Sequence, residues 1–250
     1  MTINSDVNVL GSLADLNLVK VFLNDSIQDL NKKGGYHTYT NMKTDKSVKR
    51  FEKAITGTLI GFKSKEIEYL VKSMIDAESI SSDSLMMLLW NASFNNELFH
   101  YLNDTVFFTA FYSGRITIKQ DEVAACLKEL KLTETDLQKW SDSTIEVTAS
   151  KYLTLLKKFN LMVGSVNKTI IHPYLDDKMF ILFVYWLVAI ETKSNILNSS
   201  WLNYCFSEKP FFIERILQKK FIKFFYINYT GDRLSIEPII SYENIYHAIT

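Results

Sequence analysis

Catalysis needs a nucleophile, an acid–base pair or a ligand set within mutual reach, and this chain offers few such spacings. Its four histidines, His37, His100, His172 and His247, show no ligand spacing with one another or with Cys126 and Cys205. HExxH, CxxC and P-loop patterns are absent, and Gly34-Gly35 lacks the strand and helix that a phosphate loop requires. Asp121-Glu122 and Asp176-Asp177 fall at expected helix N-termini, where capping explains them better than acid–base chemistry. No serine sits in a GxSxG elbow. These observations predict a non-enzymatic chain with neither cofactor nor metal. Each cysteine lies in an apolar helical pattern, which reads as a buried thiol in a reducing cytosol rather than half of a disulfide.

What remains is the binding of phosphates by cations. The chain carries 28 basic and 28 acidic residues, so its overall charge gives no sign of a nucleic-acid partner. The distribution does. Residues 31–53 hold seven basic and two acidic side chains, residues 54–150 eight and fourteen, and residues 151–223 eleven and five. Two basic segments around an acidic middle can form a local phosphate-binding surface, although such runs are as often solvated helix faces. Candidate contacts in the first segment are Lys32, Lys33, Lys46, Lys49, Arg50 and Lys53. Tyr36, His37 and Tyr39 beside them could stack on bases, but filling the groove between two helices is the better reading.

The element best suited to position the second segment runs from Trp140 to Leu175. Ser141 or Ser143 can cap a helix in which Val147, Tyr152, Leu155, Leu156 and Phe159 recur at three- and four-residue steps. Leu161-Met162-Val163 and Thr169-Ile170-Ile171 then flank Gly164-Ser165-Val166-Asn167 as a short hairpin. A helix followed at once by a hairpin closes a winged helix-turn-helix, whose reading helix enters the major groove while its wing touches the backbone. Here that helix would expose Thr144, Thr148, Lys151 and Lys158, with Lys157 nearby and Lys168 on the wing. Ile145, Glu146 and Val147 are poor groove readers. Farther on, the stretch Pro210–Phe225 reads as a long helix, and Thr230-Gly231-Asp232-Arg233 turns a second hairpin. This unit would offer Arg215, Lys219, Lys220 and Lys223, with Arg233 at its wing tip.

Three prolines, eight glycines and long stretches of 3.6-residue period predict a mainly α protein. A helical N-terminal region (1–84) precedes two tandem winged-helix-like units with short β-hairpins (85–175 and 176–250). Helices are expected over 15–30, from Asp45, after Ser64, over 120–130 and over 133–140. Residues 31–44 read as loop, and Trp90, Phe94, Phe107, Phe108 and Phe111 as core. Met179–Ile190 is twelve apolar residues long. A membrane span needs about 20, so this is a buried helix. The N-terminus lacks a secretory pattern, and the expected location is cytoplasmic.

In its order of features the chain resembles the BrxA family of BREX phage-defence systems, long labelled as inner-membrane proteins. The likeness runs through Gly11-Ser12-Leu13, then Lys49-Arg50-Phe51 leading into Ile55 and Leu59, then the Leu85–Trp90 segment. It continues with Trp140-Ser141-Asp142-Ser143-Thr144, with Phe159-Asn160-Leu161 before the hairpin, and with Ser241-Tyr242-Glu243 near the end. The resemblance implies a small, mainly helical protein that binds double-stranded DNA without known catalysis, beside larger methyltransferase and ATPase components. Many relatives carry basic residues where this chain has Ile145-Glu146-Val147, which shifts the expected contacts toward the first basic segment and Lys219-Lys220-Lys223. The first expectation is therefore a non-catalytic DNA-binding accessory protein of phage defence, acting mainly on phosphates. The alternative is a winged-helix adaptor that scaffolds a larger defence effector. Oligomeric state is left open.

Overall fold

A computed structural model describes residues 3–14, 16–24, 44–75, 80–165 and 168–250. The fold is mainly helical with two short antiparallel hairpins. The chain divides into two compact units, Met1–Gly61 with Ile75–Ile171, and Phe62–Met74 with His172–Thr250. In chain order the first helices are α1 (Asp6–Ser12), α2 (Leu18–Asn24), α3 (Asp45–Ala54) and α4 (Lys65–Met74). Next come α5 (Ser82–Asn95), α6 (Glu97–Leu102), α7 (Thr109–Tyr112), α8 (Gln120–Thr133) and α9 (Asp142–Lys158). After the β1 (Met162–Val163) and β2 (Thr169–Ile170) hairpin stand α10 (Asp177–Ile190) and α11 (Lys209–Ile216). The chain closes with β3 (Phe225–Tyr229), β4 (Leu234–Pro238) and α12 (Ile245–Ile249).

In the first unit the core is aromatic and aliphatic, with Trp90, Phe99, Phe107, Tyr152 and Phe159 almost wholly buried. Phe94, expected in the core, is only half-buried. Helix α3 runs on into a π-helical turn, Ile55–Leu59, whose widened end leaves carbonyls unpaired. Two asparagines of α5 satisfy them: Asn91 Nδ2 donates to Leu59 O at 2.8 Å, and Asn95 Nδ2 to Thr58 O and Gly61 O at 3.1 and 2.8 Å. A second π-helical turn, Asn103–Phe108, follows α6. Its Asn103 accepts from Tyr152 Oη of α9 at 3.0 Å and donates to Ser93 Oγ at 3.1 Å, so three elements are pinned through one buried amide.

Several expectations shift here. The helix expected over 15–30 is instead α1 and α2, with Asp15 and residues 25–30 outside the described residues. The loop expected at 31–44 lies outside them up to 43. The helix expected over 133–140 contracts to a 3-10 turn, Thr135–Leu137. Between α7 and α8 the chain extends, and Thr117 bridges Thr169 of β2 while Ile170 N donates to Ile116 O at 2.8 Å. The first hairpin therefore gains a third strand-like partner.

The second unit forms around α10. Apolar on every side, this helix is buried from Met179 to Leu187 by α4, β4, α12 and the 3-10 helix Ser200–Cys205. Asp176 caps it, accepting from Met179 N at 2.8 Å. The long helix expected from Pro210 stops at Ile216, and Lys219–Phe221 turns as 3-10. The reason lies in phase. An unbroken helix would align Lys219, Lys220 and Lys223 with the buried Phe212 and Ile216, and turn Phe221 and Phe224 outward. The break re-phases the chain, so the two phenylalanines are buried and the three lysines exposed. In the second hairpin Tyr229 pairs with Leu234 across a turn where Gly231 adopts φ 93°, conformational space that glycine occupies without strain. Asn195 fastens it by accepting from Leu234 N at 3.0 Å and donating to Asp232 O at 2.9 Å.

Cys126 and Cys205 are buried free thiols. Among the described residues no helix is long and apolar enough to cross a membrane.

One half-buried ionisable pair sets a pH-dependent cost on stability. His100 Nε2 lies 3.4 Å from Asp104 Oδ2, and Asp104 Oδ1 is buried without a hydrogen-bond partner among the described residues. Burial pushes the Asp104 carboxyl up to about 6 and the His100 imidazole down to about 4. Above pH 6 the folded chain thus carries a carboxylate at a cost the unfolded chain escapes, and proton uptake removes that cost on acidification. Since the carboxylate is partly solvated, Asp104→Asn is expected to stabilise the fold by only about 1–2 kcal/mol near pH 8. The gain should shrink as pH falls from 6 towards the unfolded carboxyl's own value. Urea unfolding of both proteins at several pH values reads this directly, and equal stability near neutrality overturns it.

Candidate nucleic-acid interface

Helix α3 presents the clearest cationic surface. Thr44 starts it, its Oγ1 accepting from Ser47 N at 3.3 Å, and Val48 and Ala54 anchor its inner face. Lys46, Lys49, Arg50 and Lys53 all stand exposed on the outer face. Steps of three, four and seven residues put them in one row about 10 Å long. None of the four ion-pairs with another described residue. Lys32 and Lys33, the other candidates of this segment, lie outside the described residues, as do Tyr36, His37 and Tyr39.

Helix α9 starts as expected, with Ser141 Oγ accepting from Thr144 N at 3.2 Å. Its outer face differs from expectation. Thr148 is wholly buried, accepting from Asn8 Nδ2 of α1 at 3.0 Å. Lys151 is half-buried where Gly11 crosses it, and Lys158 Nζ donates to Gly11 O at 2.9 Å. Thr144 is half-buried, its hydroxyl 2.9 Å from that of Ser141. Helix α1 covers this side of α9. Val147, expected inward, is 49% exposed, because Ile145 and Ala149 take the inward positions beside it.

At the hairpin, Lys168 is half-buried and its ammonium is held below the usual lysine range, first by burial and then by the charge of Lys157. Lys157 and Lys168 thus set two mutually repelling cations beside the first hairpin.

The second unit places Lys219, Lys220 and Lys223 in the open just before β3, and Arg233 in the open at the hairpin turn. Lys220 is not a free charge. Its Nζ lies 2.5 Å from Asp177 Oδ2, and Arg215 Nη2 lies 3.1 Å from Oδ1 of the same carboxylate. Those donors hold the Asp177 carboxyl below the usual carboxylate range, the lysine hydrogen bond contributing most. Lys223 Nζ rests 4.8 Å from the Phe224 ring centroid.

Residues 40–183, more than half of the chain, match the BrxA family. The chain belongs to the BrxA family. No curated protein and no solved structure matches it.

Membership implies a component of a BREX phage-defence system. The stretch that matches the BrxA family takes in α3 with its row of cations, α9 and the first hairpin. It stops inside α10, short of α11 and the second hairpin. After the cap of α9 this chain buries Ile145 and engages Glu146, whose backbone O and Oε2 both accept from Gln120 Nε2 at 3.2 Å. Lys157, set only beside the candidates by its spacing, stands in the last turn of α9, which leads into the first hairpin.

Proposed function

We propose that this chain is a non-catalytic accessory protein of its BREX system that binds duplex DNA mainly through phosphates. The observation that carries this reading is the row Lys46, Lys49, Arg50 and Lys53, four exposed cations on one helix face with no ion-pair partner among the described residues. Leaving four like charges unpaired adds nothing to stability, whereas a row about 10 Å long can follow phosphates along a strand. The order of bridged strand, α8, α9 and hairpin supports a winged helix in the first unit, with Lys157 and Lys168 serving its wing. With α1 seated on α9, that helix contributes little to base reading, and weak sequence preference follows.

A salt titration on a fluorescent duplex of about 30 base pairs tests the reading. With about six phosphates neutralised, log K should fall by roughly five for each decade of salt. Affinity that stays flat from low to moderate salt overturns it. In parallel, Lys219→Glu/Lys220→Glu/Lys223→Glu should weaken binding by about tenfold or less, because Asp177 already neutralises part of that cluster. Complete loss in this variant would shift the main contact to the second unit.

A further inference from the structure

Within the second unit, Arg215 links two aromatic rings. Its guanidinium carbon lies 4.3 Å from the centroid of the buried Phe180 ring and 5.1 Å from that of Tyr174. Only 17% of the Arg215 side chain is exposed, and Asp177 fixes its outer nitrogen at 3.1 Å. Tyr174, by contrast, is 80% exposed, although a held cation backs its ring. The assembly starts in the core and ends on an aromatic surface open to solvent. Phe211, itself 61% exposed, lines the same cleft of about 260 Å³, together with Glu214, Gln218 and Lys220.

We propose that this cleft binds an unpaired nucleobase, stacked on Tyr174 and flanked by Phe211, at a single-stranded end or break in DNA. The proposal rests on the reading that the chain binds DNA, and extends it to strand state. A flat π system completes an aromatic–guanidinium assembly that ends on an open ring, and stacking tolerates every base because every base has a π-face. Gln218 offers a donor and an acceptor to a base edge, and Glu214 accepts from an exocyclic amine. Lys219 stands exposed just beyond α11 and supplies a cation for a flanking phosphate. A purely apolar partner would leave Gln218 and Glu214 without hydrogen bonds in the contact.

The full-length chain should bind a duplex with a single-stranded overhang of about six nucleotides roughly tenfold more tightly than the same duplex with blunt ends. 2-Aminopurine in the overhang should lose fluorescence on binding, as a stacked base does. Tyr174→Ala/Phe211→Ala should remove both effects and leave blunt-duplex affinity unchanged, while Tyr174→Phe/Phe211→Tyr keeps them. Because both side chains are exposed, the alanine variant should unfold in urea at the same midpoint as the parent. Equal affinity for the two DNAs, or a preference that survives the alanine variant, overturns the proposal while duplex binding stands. Binding only to the overhang DNA overturns the duplex reading and supports this one. Binding to neither overturns both.

Discussion

Reversing the row on α3, with Lys46, Lys49, Arg50 and Lys53 all changed to glutamate, is expected to reduce duplex affinity by about a thousandfold at moderate salt. Each cation that meets a phosphate releases about 0.9 counterion, so the slope of log K against log salt should flatten by about three to four. The slope is the more telling number. A variant that lost affinity through misfolding would bind no DNA at any salt, whereas one that lost phosphate contacts keeps weaker binding with a shallower slope. The four positions are exposed and Val48 and Ala54 hold the inner face, so α3 should persist. Glutamate at position 53 opposes the helix dipole at a cost of only a few tenths of a kcal/mol. Circular dichroism establishes that the fold is kept, and glutamine at the same four positions should give an intermediate slope. An unchanged slope and affinity would remove α3 from the interface.

The row on α3 was legible in the sequence because a helix converts spacing into direction: three-, four- and seven-residue steps share a face whatever the rest of the chain does. An unbroken apolar run marked α10 in the same local way, and the cap of α9 falls on Ser141, one of the two serines the sequence offered. Spacing failed where one helix is covered by another. Thr148 and Lys151 lie on the side of α9 that spacing leaves polar, and only the arrival of α1, a seven-residue helix with too few turns to show a period, makes that side an interface. It failed again at α11. The apolar residues from Pro210 onward fit no single phase, and the chain resolves the conflict by breaking at Leu217-Gln218 rather than by exposing Phe221 and Phe224. The aromatic cleft was illegible for a third reason. Tyr174 and Arg215 are far apart in the chain, and their stacking is decided by how α11 returns across α10, which no local pattern encodes. Family membership marks a similar line, since the match ends at residue 183 and leaves α11 and the second hairpin to be judged on geometry alone.

The Gly11 side of the same contact gives the largest expected effect on stability. Helix α1 crosses α9 so closely that a Cβ at Gly11 would lie 2.5 Å from Lys151 O and 2.8 Å from Lys151 Cβ. One of those atoms is backbone within a helix, so no rotamer change relieves the clash and α1 must move as a body. Moving it withdraws Val7 and Leu10 from the core, and breaks the Asn8–Thr148 and Lys158–Gly11 hydrogen bonds. Gly11→Ala gains about 1 kcal/mol of helix propensity, yet overpacking outweighs it, for a net loss of about 1–2 kcal/mol. For Gly11→Leu the loss should reach about 3 kcal/mol or more, because the added side chain cannot be seated without separating the helices. Ser12→Ala is the matched control. Its hydroxyl donates only to Asn8 O in its own helix at 2.7 Å and is exposed, so its loss should change stability by less than about 0.5 kcal/mol. Thermal and urea unfolding of the three variants decide the matter: if Gly11→Leu unfolds at the parent's midpoint, α1 is not the rigid cover of α9 described above. In that case Lys151 and Lys158 would return to the DNA-facing side of the helix, and their replacement by glutamate should then flatten the salt slope as the α3 row does.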